Sequence, residues 1–411
     1  MKKRLIRKYA RVIANKGIGL RKGQQVCVYA PISASSFVEV LVEELYKAKA
    51  SRVHVEWSNQ KVFKTKMKYE SEKTLKELPE HVESKAKYFY DNRIARISIS
   101  SSDPDGLKGI NFAKLKISRQ TSSKLDKYTS EPYMASLVQW CVAAVPNTAW
   151  ARKVFPNLTP SKAVEALWDA ILKANYIDEE NDPIKVWQEH DNKLHELAEL
   201  LNSYNFSSLR YKASNGTDFT VGLVKDHIWA GGSEGNVDDI PEFNPNMPTE
   251  EIFTMPHKDK VNGKVVSTKP LSYQGNLIED FYLVFKDGVV VEANAKKGQE
   301  ALDSLLNSDE GSRRLGEVAL VEYHSPISMS NILFYNTLFD ENASCHLALG
   351  NAYTMNIKNG TTTPEEELVP LGYNRSLVHV DFMIGTSDLS IVGIKEDGSE
   401  VEVFKNGDFA L

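Results

Sequence analysis

The first 200 residues alternate between strand and helix patterns, and this alternation constrains the fold more than any other feature of the sequence. Residues 24–30, QQVCVYA, form a short apolar run rich in β-branched residues, which predicts a buried strand. Apolar residues at helical spacing follow over residues 37–48, and residues 52–57 predict a second strand. Strand, helix, strand is the unit that builds parallel sheets. We therefore predict an α/β N-terminal domain with a mainly parallel sheet.

After about residue 205 the pattern changes to short strands joined by tight turns. Asn215-Gly216 and Asp287-Gly288 each lie between two strand patterns, and such dipeptides are typical of two-residue hairpin turns. One helix is predicted near residues 298–306. A chain of 411 residues is long enough for two domains. We predict the α/β domain over residues 1–205 and a mixed α+β C-terminal domain over residues 206–411.

Composition and charge exclude several classes of protein. The chain has 50 Lys+Arg and 55 Asp+Glu, a net charge of −5, and 42% apolar residues, which is typical of globular proteins. No apolar run is long enough to span a membrane, and basic residues interrupt the N-terminal apolar stretch that a signal peptide would need. Three scattered cysteines without C-x-x-C spacing indicate a reducing compartment. We expect a cytoplasmic protein without a membrane partner, in which any metal serves chemistry rather than folding.

Three weaker signals favour structural interpretations. The turn after the first predicted strand, APISASS, has no glycine, which argues against nucleotide binding there. The first 22 residues hold nine basic side chains, but without a basic excess elsewhere we interpret them as a solvated helix face and expect no nucleic-acid partner. His190 and His195 are five residues apart on a predicted helix and so do not share a face, and we expect both to be exposed or capping.

The strongest chemical signal is a His-x-Asp pair inside an apolar strand, SLVHVDFMIG. Alternation along a strand places His379 and Asp381 on one face. A buried imidazole and a buried carboxylate both need partners. A bound cation would supply them, and a mutually hydrogen-bonded His–Asp pair is the alternative.

Further candidate ligands lie in DENASCHLALGNAY, which carries Glu341, His346 and Tyr353. If this segment were helical, His346 and Tyr353 would share a face because they are seven residues apart. Each residue alone has an ordinary interpretation, as a capping carboxylate, a core histidine or an interface tyrosine.

Three glutamates stand beside predicted strands upstream. Glu317 heads the apolar strand in RRLGEVALVEY, and Glu250 and Glu251 lie where the Pro-rich loop of NPNMPTEEIFTMPH enters a strand. Singly, such glutamates are most often solvated.

Taken together, four segments resemble a known family. TEEIFTMPH, RRLGEVALV, LFDENASCHLALGNAY and LVHVDFMIG, in this order, resemble the dinuclear metallo-aminopeptidases of the aminopeptidase T and aminopeptidase S type, the thermophilic metalloproteases. The resemblance is strongest over residues 244–388 and extends along the chain. It implies that the C-terminal domain is catalytic and holds two divalent ions through these side chains: Glu251, Glu317, Glu341, His346, Tyr353, His379 and Asp381.

The same resemblance implies a function. Two ions, of zinc, cobalt or manganese, would share a carboxylate, most plausibly Glu317, and activate a bridging water that attacks the first peptide bond. Recognition of the free amine would restrict cleavage to the N-terminus of a peptide. Glu250, Glu341 and Tyr353 are the candidate catalytic side chains, with Glu250 or Glu341 carrying a proton to the leaving amine. The resemblance also implies a homodimer.

Two other functions stay open at this point. A dinuclear phosphoesterase would use the same metals, but the D-x-H start and G-N-H-D/E block typical of such sites do not occur in the sequence. A non-catalytic binding protein stabilised by metal is the second alternative.

Overall fold

The computed structural model describes residues 2–235, 240–273 and 276–411. Its strands are, in chain order, β1 (Gln25–Pro31), β2 (Arg52–Ser58), β3 (Ala95–Ser100), β4 (Trp140–Ala144), β5 (Ser208–Lys212), β6 (Asp218–Leu223), β7 (Ala230–Gly231), β8 (Asn246–Met247), β9 (Ile252–Thr254), β10 (Pro256–Val266), β11 (Leu271–Tyr273), β12 (Asn276–Lys286), β13 (Val289–Lys297), β14 (Leu315–Leu320), β15 (His346–Gly350), β16 (His379–Met383), β17 (Ser390–Ile394), β18 (Glu400–Lys405) and β19 (Asp408–Phe409).

The helices concentrate in the first half of the chain. In chain order they are α1 (Lys2–Val12), α2 (Ser35–Lys47), α3 (Gln60–Tyr69), α4 (Glu72–Leu75), α5 (Glu80–Asp91), α6 (Phe112–Ser122), α7 (Asp126–Thr129), α8 (Glu131–Met134), α9 (Thr148–Val154), α10 (Pro160–Ala174), α11 (Pro183–Tyr204), α12 (Gln299–Leu306), α13 (Pro326–Met329), α14 (Thr337–Asp340) and α15 (Glu365–Leu368). Among the described residues, no helix combines the length and apolar character needed to cross a bilayer.

The chain forms two compact units. The first contains Met1–Glu189 and Ser233–Pro248, and the second contains His190–Gly232 and Thr249–Leu411. The sequence indicated one division, at residue 205, whereas the chain passes between the units within α11 and again at both ends of a short returning segment. A continuous helical pattern carries no mark at such a crossing, because periodicity reports the element and not its packing partner.

A five-stranded parallel sheet organises the first unit, as the sequence predicted. Its strand order is β2-β1-β3-β4-β8, and every neighbouring pair is parallel. The interior strand β1 buries Val26, Cys27 and Val28 in succession. Consecutive buried residues are expected where helices cover both faces of a parallel sheet. The expected α/β architecture is therefore confirmed.

Two antiparallel sheets organise the second unit, which is the mixed α+β part of the fold. The larger sheet runs β11-β12-β10-β6-β5-β17-β18-β19, with β13 paired to β12. The turn between β12 and β13 is Asp287-Gly288, where φ is 48° and 79°. Two positive φ values define the type I′ turn that joins twisted strands, so the predicted hairpin is confirmed.

The smaller sheet has the order β16-β15-β14-β9-β7 and carries most of the candidate ligands. Its strands β14 and β15 are buried at every residue. The helix considered for residues 340–353 is absent, because α14 ends at Asp340, a single 3₁₀ turn, Glu341–Ala343, follows it, and residues 346–350 form β15. A short apolar run such as HLALG fits either a helix or a strand by pattern, and pairing with β14 and β16 selects the strand.

Candidate metal centre

The register of the smaller sheet places its polar side chains on one face. Ala319 of β14 pairs with His346 of β15, and Ala348 pairs with both Glu317 and Asp381. Directly paired residues of an antiparallel sheet lie on the same face, as do residues two apart on one strand. Most neighbours of the polar residues on this face are alanine or glycine, since His379 pairs with Gly350, although His346 also pairs with Met383 of β16. Small neighbours leave room above the sheet for the long side chains to converge.

Five of the predicted ligands converge there in two groups of three. Glu251, Glu317 and His346 form one group, and Glu317, His379 and Asp381 form the other. Within each group, the candidate ligand atoms lie within 4.8 Å of one another. Glu317 belongs to both groups.

The two carboxylate oxygens of Glu317 face different histidines. His346 Nε2 lies 3.3 Å from Glu317 Oε1 and 3.2 Å from Glu251 Oε2. His379 Nε2 lies 3.7 Å from Glu317 Oε2 and 3.2 Å from Asp381 Oδ1. Glu317 therefore stands between the two groups as a shared carboxylate.

Backbone carbonyls orient both imidazoles. His346 Nδ1 lies 3.1 Å from the carbonyl oxygen of Ser344, and His379 Nδ1 lies 2.7 Å from that of Asn351. Because a carbonyl oxygen can only accept, each Nδ1 carries the proton and donates it. In a neutral ring, Nε2 is then left with its lone pair directed at the carboxylates, which is the usual preparation of a metal-binding histidine.

The pKa values of the cluster reflect negative charge held away from water. Burial raises the pKa of Glu317, although its hydrogen bond with His346 opposes this. Burial alone would lower the pKa of His379, but the charges of Asp381 and Glu317 raise it to about 9. The same competition raises the pKa of His346 well above its usual value, through its hydrogen bonds to Glu251 and Glu317. The centre thus favours positive charge among its carboxylates.

These residues fit divalent cations. Asp381 Oδ1 is buried and, apart from the close approach of His379 Nε2, has no hydrogen-bond partner among the described residues. Such buried oxygens are expected where a cation completes the site. Both groups consist of carboxylate oxygens and imidazole nitrogens, a mixed set that suits borderline divalent metals. A cation in each group would neutralise the clustered charge that burial makes costly.

Glu341 and Tyr353 lie beside the two groups rather than within them. Burial and the charges of Glu251 and Asp381 raise the pKa of Glu341 well above its usual range. The Tyr353 ring centroid lies 4.7 Å from that of His379. Burial and the charge of Glu317 raise the pKa of this phenol well above its usual value. Both side chains therefore lie close enough to the centre for its charges to shift their pKa values.

Glu250 faces a different environment from its neighbour Glu251. Successive residues of an extended segment point in opposite directions. Glu250 is buried, and its Oε2 lies 3.8 Å from His190 Nε2. Its backbone N–H donates to Asn342 Oδ1 at 2.7 Å. The structure therefore brings Glu251, and not Glu250, among the candidate ligand atoms.

His190 and Asn342 are site residues that the sequence did not single out. The side chain of His190 is only 11% exposed, and its Nε2 lies 2.8 Å from the carbonyl oxygen of Thr249, so the expectation of an exposed or capping histidine is wrong. Asn342 is fully buried and also donates to the carbonyl oxygen of Leu338. Both residues hold the segment that leads into β9. The position of an asparagine next to the candidate ligand Glu341 was the one signal available in the sequence.

The fold and the site together define a protein with a buried, shared-carboxylate centre suited to divalent cations. The model of the family described as "Thermophilic metalloprotease (M29)" matches residues 2–409. The chain is 43% identical to "Aminopeptidase 2" of Geobacillus stearothermophilus, over 98% of this chain and 97% of that protein. It is 44% identical to "Aminopeptidase AmpS" of Bacillus subtilis (strain 168), over 98% of each chain.

A solved structure agrees with these relatives. The structure titled "Wild-type AmpT from Thermus thermophilus" superposes with a TM-score of 0.92 at 36% identity and covers 100% of both chains. The chain belongs to the M29 family of thermophilic metalloproteases. The expected class, a metallo-aminopeptidase that is a hydrolase acting as an exopeptidase, is confirmed.

Proposed function

We propose that the protein removes N-terminal residues from peptides that carry a free amino terminus, using two divalent ions held by its smaller antiparallel sheet. The observation that carries this proposal is the division of the cluster into two ligand groups that share Glu317. A carboxylate with one oxygen toward each group is the arrangement that two-metal hydrolytic sites require.

In this proposal Glu251 and His346 complete one ion site, and His379 and Asp381 complete the other. Glu341 and Tyr353 border the pair, and each serves either as a supplementary ligand or as a catalytic side chain. When bound, such ions supply Lewis acidity and lower the pKa of water to near neutrality. The mixed nitrogen and oxygen donors suit zinc, cobalt and manganese alike, and the proposal therefore includes all three metals.

The remaining work of the chain is orientation and proton transfer. Backbone carbonyls of Ser344 and Asn351 hold the two imidazoles in one tautomer. Glu250 and Glu341 lie outside the two ligand groups, and each is a candidate to carry a proton to the leaving amine. We assign that role to one of these two carboxylates.

The cellular setting belongs to the same proposal. The three cysteines, Cys27, Cys141 and Cys345, are buried thiols, which suits a reducing cytoplasm. We propose a cytoplasmic homodimer, as the family resemblance implied. No observation favours the phosphoesterase or the non-catalytic binding protein.

The test compares aminoacyl substrates that differ only at the amine. We expect the purified, metal-loaded protein to hydrolyse a leucyl anilide and to leave the N-acetylated anilide and a phosphate ester intact. Metal analysis should find two divalent ions per chain. Cleavage of the acetylated substrate at a similar rate would contradict an exopeptidase that requires the amine.

A second comparison separates the two carboxylates. The catalytic one should lose most of kcat on replacement by glutamine while both ions stay bound, as expected of a proton carrier. Loss of an ion in Glu341→Gln would instead identify a ligand. If Glu250→Gln and Glu341→Gln both kept full activity, neither would carry the proton.

A further inference from the structure

A small cavity of about 120 Å³ opens in the second unit beside the candidate metal centre. Its walls include Lys269, Leu271, Tyr335, Asp340, Asp381 and Met383. Asp381 belongs to one of the two ligand groups, so the cavity begins at the centre itself. It has space for several water molecules or for a short substrate side chain.

Hydrogen bonds fix the backbone that forms the walls of the cavity. The backbone N–H of Thr268 donates to the carbonyl oxygen of Met383 at 2.8 Å, which fixes the segment carrying Lys269 against β16. The Ser267 hydroxyl donates to the carbonyl oxygen of Lys269, also at 2.8 Å. These hydrogen bonds hold the backbone around Lys269 next to β16, the strand that carries Asp381.

The opposite wall is a loop organised by Asp340. Its Oδ1 accepts the backbone N–H of Phe334 at 2.7 Å, and its Oδ2 accepts that of Asn336 at 2.9 Å. Between them, Tyr335 has a φ of 54°, a left-handed conformation that is uncommon for a non-glycine residue. Such a conformation persists only where surrounding contacts enforce it.

Lys269 is the cationic group of this cavity, and it forms no ion pair within the part of the chain that the structure describes. The side chain is partly buried, and no described residue offers its Nζ a hydrogen bond or an ion pair within 4.0 Å. Burial lowers the pKa of Lys269, and the charge of Asp340 opposes this. Asp340 cannot fully compensate, because both of its oxygens are bonded to the backbone of the loop.

A partly desolvated ammonium in a cavity favours an anionic guest. A carboxylate is small enough for this cavity and has the complementary charge. Hydrogen bonds between an ammonium and a carboxylate are stronger than those between neutral groups. Every peptide substrate offers at least one carboxylate, at its C-terminus, and acidic residues offer more. A dipeptide places its C-terminal carboxylate one residue from the scissile bond, and an acidic N-terminal residue places a side-chain carboxylate equally close.

We propose that Lys269 is a specificity-determining residue that binds a carboxylate of the peptide substrate in the cavity next to Asp381. The inference rests on the proposed aminopeptidase function and extends it to the choice among peptides. The carboxylate comes either from an acidic N-terminal side chain or from the C-terminus of a dipeptide, and the experiment distinguishes these two sources.

The test compares kcat/KM for four substrates in the metal-loaded wild type and in Lys269→Met, which keeps the length of the side chain and removes its charge. Leucyl anilide and leucyl-glycinamide lack a carboxylate, glutamyl anilide has one in the side chain, and leucyl-glycine has one at the C-terminus. Lys225→Met is the matched control, since Lys225 is exposed in the same unit.

We expect Lys269→Met to keep kcat/KM for the two neutral substrates within about twofold of the wild-type value. It should lower kcat/KM by about tenfold or more for the substrate whose carboxylate it binds. A selective loss with glutamyl anilide identifies the side chain as the source, and a selective loss with leucyl-glycine identifies the C-terminus. Lys269→Arg, which retains the charge, should keep part of the preference, whereas Lys225→Met should change none of the four rates.

Two outcomes would overturn the assignment. In the first, Lys269→Met keeps the wild-type ratio between carboxylate-bearing and neutral substrates. In the second, it loses all four activities equally while its metal content and circular dichroism are unchanged. Failure of the wild type to hydrolyse any of the four would instead refute the aminopeptidase function, and this would be seen before any variant is compared.

Discussion

His346 Nε2 lies 3.3 Å from Oε1 of Glu317, and both side chains are buried. The other oxygen of Glu317 faces His379 at 3.7 Å, so one carboxylate contacts both halves of the cluster. Because the imidazoles are oriented by backbone carbonyls, this relationship is preorganised by the sheet. It makes Glu317 the side chain whose loss should affect both ion sites together.

Replacing Glu317 by alanine should remove the shared ligand. We expect kcat/KM for leucyl anilide to fall by at least about a thousandfold and the bound metal to fall with it. Activity assays with parallel metal analysis check this. Glu400→Gln is the control, because Glu400 is an exposed carboxylate on β18 of the larger sheet and pairs with Arg210. Wild-type rates in Glu317→Ala would refute the proposed two-ion site.

Removing the metal should destabilise the second unit as well as abolish activity. Without cations, the carboxyl groups of Glu251, Glu317, Glu341 and Asp381 are crowded together in a buried cluster, and burial and their proximity together raise the pKa of Glu341 well above its usual range. A ligand at about 1,000 times its Kd stabilises a protein by about 4 kcal/mol, so chelation should lower Tm by several degrees. Calorimetry with and without chelator measures this, and added divalent ion should restore both properties. In Glu317→Ala the chelator should produce little shift.

Tyr353→Phe separates the two roles that the sequence left open for this tyrosine. Phenylalanine keeps the ring contact with His379 and removes only the hydroxyl. We expect activity to fall by about 10- to 100-fold. If the hydroxyl is a ligand, metal affinity measured by competition with a chelator falls too. If it acts only in the reaction, kcat falls at full metal occupancy. Unchanged activity and affinity would exclude both roles.

Asp388 should contribute to stability in a pH-dependent manner, away from the metal centre. Hydrogen bonds from Ser214 and Thr386 lower its pKa from 3.8 to about 2. A lowered pKa in the folded state means that the contribution is complete above pH 4 and is lost as pH falls from 4 toward 2. Since Asp388 is exposed, Asp388→Asn should cost only about 0.5–1 kcal/mol at pH 7.

Urea unfolding of wild type and Asp388→Asn between pH 3 and 7 measures this contribution. The difference in unfolding free energy should shrink as pH falls below 4. Glu396→Gln is the control, because it removes the charge of another exposed carboxylate in the same unit. It should show no such trend. A difference independent of pH would show that the charge of Asp388 contributes nothing.

Local patterns predicted the elements well where the physical cause is local. The period of apolar residues predicted β1 and the helix that follows it, and Asp287-Gly288 predicted its hairpin because few residues tolerate two positive φ values. His379 and Asp381 were identified from the alternation within one strand. These signals depend only on residues close in sequence.

Packing decided what those patterns left open. HLALG suits a helix or a strand, and only pairing with β14 and β16 makes it β15. His190 appeared unremarkable on its helix, because its partner Thr249 is distant in sequence. The crossing between units inside α11 is equally invisible to periodicity.

By itself the sequence determined the element types, the α/β and α+β halves, the candidate ligands and, through four segments, the family resemblance. Local physical signals did not separate Glu250 from Glu251, and the resemblance selected Glu251. Only the tertiary structure brought Glu251 together with Glu317 and His346 and placed Glu317 in contact with both histidines. It also placed Lys269 beside Asp381. The physical reason is register: hydrogen bonds between strands align residues far apart in the chain, and a shift of one position in β14, β15 or β16 would turn the ligands on that strand to the other face.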